Sequence, residues 1–130
     1  MQQRIDSDAN CLVQRWNRLQ MHVRCGLSAH HPGCVRLYVH TGLAIARRGI
    51  RPAGEVHFRV LQTLLGTGQD EAMPWFWRSV CLEYVDLPLA HLTTILIERD
   101  PVALRAIEAG VQRARDQLPA LPSAWVIDEV

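Results

Sequence analysis

Apolar residues recur at helical spacing along almost the whole chain, and glycine or proline punctuates the pattern. Over about 8–24, Leu12, Trp16, Leu19 and Val23 follow a 4-3-4 spacing that places them in one narrow stripe, which Ile5 extends. Ser7 or Asp8 suits the N-cap of this first helix. The run "GLSAHHPG" ends it. A second helix is expected from Pro32, with Val35, Tyr38, Val39, Gly42 and Ala46 as its buried face. Gly42 within that face implies close approach by another backbone. Arg47, Arg48 and then Gly49 as C′ residue close the helix.

A third helix is expected from near Pro52 to "GTG", presenting Val56, Val60, Leu61, Leu64 and Leu65. The fourth opens at Asp70 and Pro74 and stops before Pro88. Its spacing puts Phe76, Trp77, Val80, Cys81 and Tyr84 on one broad face and Trp75, Arg78 and Leu82 on the opposite side, with Ser79 and Glu83. A fifth spans about Leu89 to Ile97 through Leu89, Leu92, Ile95 and Leu96. The sixth takes Asp100 as cap and Pro101 at N1. Leu104, Ile107, Val111, Ala114 and Leu118 form its stripe, and Arg105, Glu108, Gln112 and Asp116 its solvated side. No strand run, hairpin signal or repeat is visible. The fold expected is all-α, a compact orthogonal bundle of five or six short helices. Residues 1–118 form a single helical domain, with Trp16, Leu19, Tyr38, Phe76 and Trp77 in its core. Residues 119–130 form a proline-containing tail whose Trp125, Val126 and Ile127 either dock as a strap or end free.

Length and composition agree with a single self-sufficient core: 130 residues, 48% hydrophobic. The 14 basic residues nearly balance the 13 acidic ones, which argues against a nucleic-acid partner. All the basic residues are arginine, so no lysine is present for Schiff-base chemistry. The N-terminus has no apolar core of a secretory signal, and no uncharged apolar run approaches the ~18 residues that span a bilayer. A cytoplasmic location, away from membranes, is therefore expected. Cys11, Cys25, Cys34 and Cys81 are then free thiols.

Three features invite a functional reading. Trp75, Arg78 and Leu82 at i, i+3 and i+7 form a candidate partner-binding patch, since exposed tryptophan with arginine is what interface hot spots favour. The partner is another protein or a second copy in a homodimer. Alternatively, the fifth helix or the tail folds over this side and buries it. Arg4, Arg15, Arg18 and His22 form a row beside the first helix's apolar stripe. This row receives an acidic partner surface, or is merely solvated or paired within the fold. The one metal-like cluster is "MHVRCGLSAHHPGC": Cys25, His31 and Cys34, with His22 and His30 nearby, offer thiolate and imidazole donors suited to zinc or ferrous iron. Their spacing matches no zinc motif, and no cofactor is expected. G-x-S-x-G, H-E-x-x-H, P-loop and G-x-G-x-x-G patterns are all missing from the chain, so no catalytic residue is assigned.

Trp16 with Val23-Arg24-Cys25, "FRVLQTLL" (58–65) and "MPWFWRSVCLEYVDLPLAHL" (73–92) together resemble the FagA (Fur-associated gene A) proteins of pseudomonads. The P-W-x-W-R-x-x-C-L core is the most specific part, and the resemblance covers about half the chain. The family pattern often has histidine where Phe76 stands, which puts in doubt any metal or hydrogen-bonding role tied to that histidine. The resemblance implies a cytoplasmic protein made when iron is scarce, encoded beside an iron-independent fumarase and a manganese superoxide dismutase. It implies no reaction and no catalytic residues. The function expected is a small non-enzymatic helical adaptor or regulator that binds another protein, in iron limitation and oxidative stress. A small iron- or zinc-binding protein is the alternative, and a DNA-binding regulator a weaker one.

Overall fold

No glycine or proline interrupts the chain from Gln2 to Cys25, and one helix, α1 (Gln2–Cys25), occupies all 24 residues. The computed structural model describes residues 2–120, apart from the side chains of Gln2 and Ile5. The part expected of Ile5, and that of Trp125, Val126 and Ile127 in the tail, lie outside the described residues. Ser7 and Asp8, expected as caps, are interior to α1 because nothing before them breaks a helix. The helix stops where Gly26 takes φ +61°. Its N–H donates to the Val23 carbonyl (3.3 Å) and that of Leu27 to the His22 carbonyl (3.1 Å), a Schellman closure. Gly49 closes α2 (Gly33–Arg47) in the same way at φ +68°, as the "RRG" signal implied.

Pro52, in extended conformation, leads into α3 (Ala53–Gly68), the central element. It packs against each of the other five helices. The chain then turns through Asp70–Met73 into α4 (Trp75–Glu83) and passes through Tyr84 and Val85 into α5 (Asp86–Leu96). Pro88, expected to stop α4 from outside, is not what ends it, since α4 already ends at Glu83. Pro88 lies in the first turn of α5, where a missing N–H costs no helix bond. The Asp100 carboxylate accepts from Ala103 N–H at 3.0 Å and starts α6 (Pro101–Gln117), with Pro101 at its first position.

The described residues form an all-α bundle of six helices with no strand among them. At 24 residues, α1 is the exception to the expectation of short elements. One continuous core draws Trp16 from α1, Tyr38 from α2, Leu61 from α3, Trp77 from α4, Leu92 from α5 and Val111 from α6. Gly42 is closely approached, but by side chains and not by backbone: a Cβ there would meet Trp16 Nε1 and Val60 Cγ2, both at 3.0 Å. A polar seam joins the first three helices. Arg59 donates from Nε to Gln20 Oε1 (2.6 Å) and from Nη2 to Asn17 Oδ1 (2.7 Å), and its guanidinium lies 4.3 Å from the centre of the Trp16 ring. The buried Tyr38 hydroxyl faces Gln20 Oε1 at 3.2 Å and Thr63 Oγ1 at 3.1 Å, and burial pushes its pKa up to about 12. Such a seam sets the relative register of α1, α2 and α3, because sliding any of them would strand buried polar atoms.

Candidate partner-binding groove

The patch expected on α4 does not form. Arg78 is 7% exposed and Leu82 4%, while Phe76, assigned to the core, is 49% exposed. The turn after α3 folds α4 back onto the C-terminal end of that helix. Arg78 Nε donates to the carbonyl of Gly68, the last residue of α3, at 2.8 Å. That carbonyl has no intrahelical partner of its own, and the cation sits favourably at the negative end of the helix dipole. Leu82 lies directly over Gly68, where a Cβ would overlap its Cγ at 2.6 Å. Trp75 is partly covered, and its indole N–H donates to the Pro119 carbonyl at 2.7 Å, so the chain leaving α6 crosses the start of α4. Trp77 is fully buried as expected and ties α4 to α1 through Nε1–H to the Val23 carbonyl at 2.8 Å.

Next to this corner, Arg24 Nη1 donates to Asp70 Oδ2 at 2.8 Å, and Ala72 N–H donates to Asp70 Oδ1 at 2.9 Å. The Arg24 hydrogen bond, that of Ala72 and the charges of Arg24 and Arg78 hold the Asp70 carboxyl below its ordinary range. The arrangement joins α1, α3 and α4 and is structural in character.

The metal-like residues do not converge on one point. Cys25 is exposed at the end of α1, and His31 is exposed with its ring tilted against that of His30 at 4.4 Å. Cys34 is partly covered, and burial raises its thiol pKa. His22 Nδ1 meets Ser28 Oγ at 3.0 Å. Among the described residues no group of three or more His, Cys, Asp or Glu side chains comes together as a metal would require.

The feature the fold does build is a groove along α1 and α2. One bay lies between Asp8, Leu12, Arg15, Arg18 and Arg48. A second shares Arg15 and Arg18 and continues over Leu19, His22, Cys34 and Leu37. A third, lined by α2 alone, shares Leu37 and reaches Arg36 and His40 on the outer side of that helix. Arg15, Arg18, Arg36 and Arg48 are exposed and make no ion pair among the described residues. Leu37 stands 51% exposed between them. Of the row expected on α1, the structure brings Arg15, Arg18 and His22 into the groove.

Two features escaped sequence reasoning. Whole-chain charge hides a division: residues 1–51 hold eight arginines against two acids, and residues 52–130 hold six against eleven. Counting by segment would have pointed to α1 and α2. The other is a pair of imidazoles, His57 on α3 and His91 on α5, stacked with ring centres 4.3 Å apart and planes 4° from parallel. Burial first, and then the charge of His91, bring the pKa of His57 down to about 4. Nothing in the spacing of two scattered histidines signals this meeting.

Comparison of the chain with protein-family models, with curated protein sequences and with solved structures gives no match. Among the described residues, no helix is long and apolar enough to cross a membrane.

Proposed function

We propose that this protein is a non-enzymatic helical adaptor that binds another protein through the α1–α2 groove. The observation that supports the reading is the groove's composition: four arginines without ion pairs among the described residues, beside apolar side chains that include a half-exposed leucine. Water solvates these exposed guanidinium groups in the free protein, and a partner that supplies carboxylates to pair them while covering the apolar area beside them gains from both contacts. The setting proposed is iron-limited cells, a suggestion that rests on the resemblance to FagA proteins alone. The test is in-cell cross-linking of the tagged full chain under iron starvation and iron sufficiency. The reading expects one protein recovered in stoichiometric amount, more under starvation, and cross-linked to α1 or α2. A chain that stays uncross-linked in both conditions contradicts it.

A further inference from the structure

Resting on that reading, we infer that the groove's occupant is an acidic amphipathic helix of a partner protein. Its apolar side covers Leu19 and Leu37, and its carboxylates meet Arg15, Arg18, Arg36 and Arg48. Charge selects the sign. Among the described residues Asp8 is the one acid lining the bays, which present four guanidinium groups. Guanidinium pairs carboxylate in a two-pronged geometry and stays charged at every physiological pH.

The groove's build selects the shape of the ligand. Extended peptides are commonly bound by adding a strand to a free sheet edge, and the described residues contain no strand. Proline-rich segments need aromatic-lined grooves, and no aromatic ring other than histidine lines these bays. The furrow that α1 and α2 form over Leu19 and Leu37, with Arg15 and Arg18 at its rim, fits a third helix, read through apolar anchors at i, i+3 or i+4, and i+7. A nucleic acid strand would satisfy the arginines but would leave Leu19 and Leu37 without apolar cover, and only the imidazoles of His22 and His40 offer it rings to stack on. An anionic bilayer surface is the remaining alternative, which the vesicle arm of the test separates.

The experiment is a selection of random segments of about 16 residues, some four helical turns, displayed against the full-length protein. The enriched sequences are expected to carry net negative charge with apolar residues at helical spacing. Synthesised, they should gain helicity on binding. Their affinity should fall about tenfold or more in the Arg15→Glu/Arg18→Glu variant and, separately, in Leu37→Asp. All these substitutions are at exposed positions, and far-UV circular dichroism with a melting curve confirms that each variant folds. Absence of enrichment, enrichment of neutral or basic segments, or binding that ignores both variants overturns the inference. So does tighter binding of a single-stranded RNA or of phosphatidylglycerol vesicles than of any selected peptide. Loss of the peptide result while the in-cell cross-link to α1 or α2 persists rejects the acidic helix but keeps the adaptor. Loss of both rejects the two together.

Discussion

Arg78→Met should destabilise the protein by about 2–3 kcal/mol, although arginine is a residue that ordinarily sits at the surface. Arg78 is 7% exposed and donates from Nε to the Gly68 carbonyl at 2.8 Å. A hydrogen bond involving a charged group contributes about 1.5–3 kcal/mol, and the carbonyl left behind is a helix-terminal acceptor with nothing in its own helix to replace the donor. Loss of the cation from the C-terminal end of α3 adds about 0.5 kcal/mol. Methionine retains most of the apolar stem, and the cost of burying a guanidinium disappears, which offsets part of the total. Urea unfolding followed by tryptophan fluorescence measures the effect. The midpoint should fall with the slope unchanged, and the melting temperature should drop by about 10 °C. Arg105→Met, on the exposed side of α6, is the control and should stay within about 0.5 kcal/mol of the parent. If Arg78→Met matched that control, Arg78 would lie at the surface and the facing of α4 described above would be wrong.

Other outcomes follow from the same packing. Trp77→Ala should cost about 3–5 kcal/mol and Phe76→Ala less than about 1 kcal/mol, a contrast that unfolding curves resolve easily. Gly68→Ala should cost about 1–3 kcal/mol by pushing Leu82 aside, and combined with Leu82→Ala it should cost less than the sum of the two, as a double-mutant cycle would show. His57 takes up its proton at about 4 in the folded protein against an ordinary 6.5. As pH falls below 6.5 the unfolded chain therefore binds the proton first, and stability is lost down to about 4. The loss amounts to at most about 3 kcal/mol, and His57→Leu should flatten that part of the stability profile. Protein purified without chelator should hold no stoichiometric zinc or iron by elemental analysis, and EDTA should leave its melting temperature unchanged; a chelator-sensitive melt would mean that Cys25, His31 and Cys34 converge after all.

What could be read in the chain beforehand was whatever a helix announces locally. Pro52, Pro101 and Asp100 marked starts, Gly49 marked a stop, and the stripes through Trp16, Tyr38 and Trp77 identified core residues, because burial imposes a period close to 3.6 wherever a helix is long enough to repeat it. At nine residues, α4 is barely more than two turns. Its period leaves the direction of burial loosely defined, and hydropathy alone ranks Phe76 above Arg78. The deciding force was tertiary: the unpaired carbonyl at Gly68 and the missing Cβ beside it accept Arg78 and Leu82, and neither is visible within the α4 segment. The early start of α1 was missed because Ser7 and Asp8 resemble caps, while the chain before them supplies no breaker. The seam of Arg59, Gln20, Tyr38 and Thr63 and the stack of His57 on His91 join residues far apart in sequence, so no local pattern encodes them. The groove was half legible. Arg15, Arg18 and His22 were visible as a row on one helix, but Arg36, Leu37 and Arg48 come from its neighbour.

The most direct test of the groove is chemical-shift mapping of the isotope-labelled full chain, with arginine Nε signals included, titrated with the highest-affinity selected acidic peptide. The account predicts that the largest shifts fall on Arg15, Arg18, Leu37 and Arg48, while Phe76 and Glu83 on the exposed side of α4 stay still. Shifts centred on α4, with the α1–α2 residues unmoved, would contradict it.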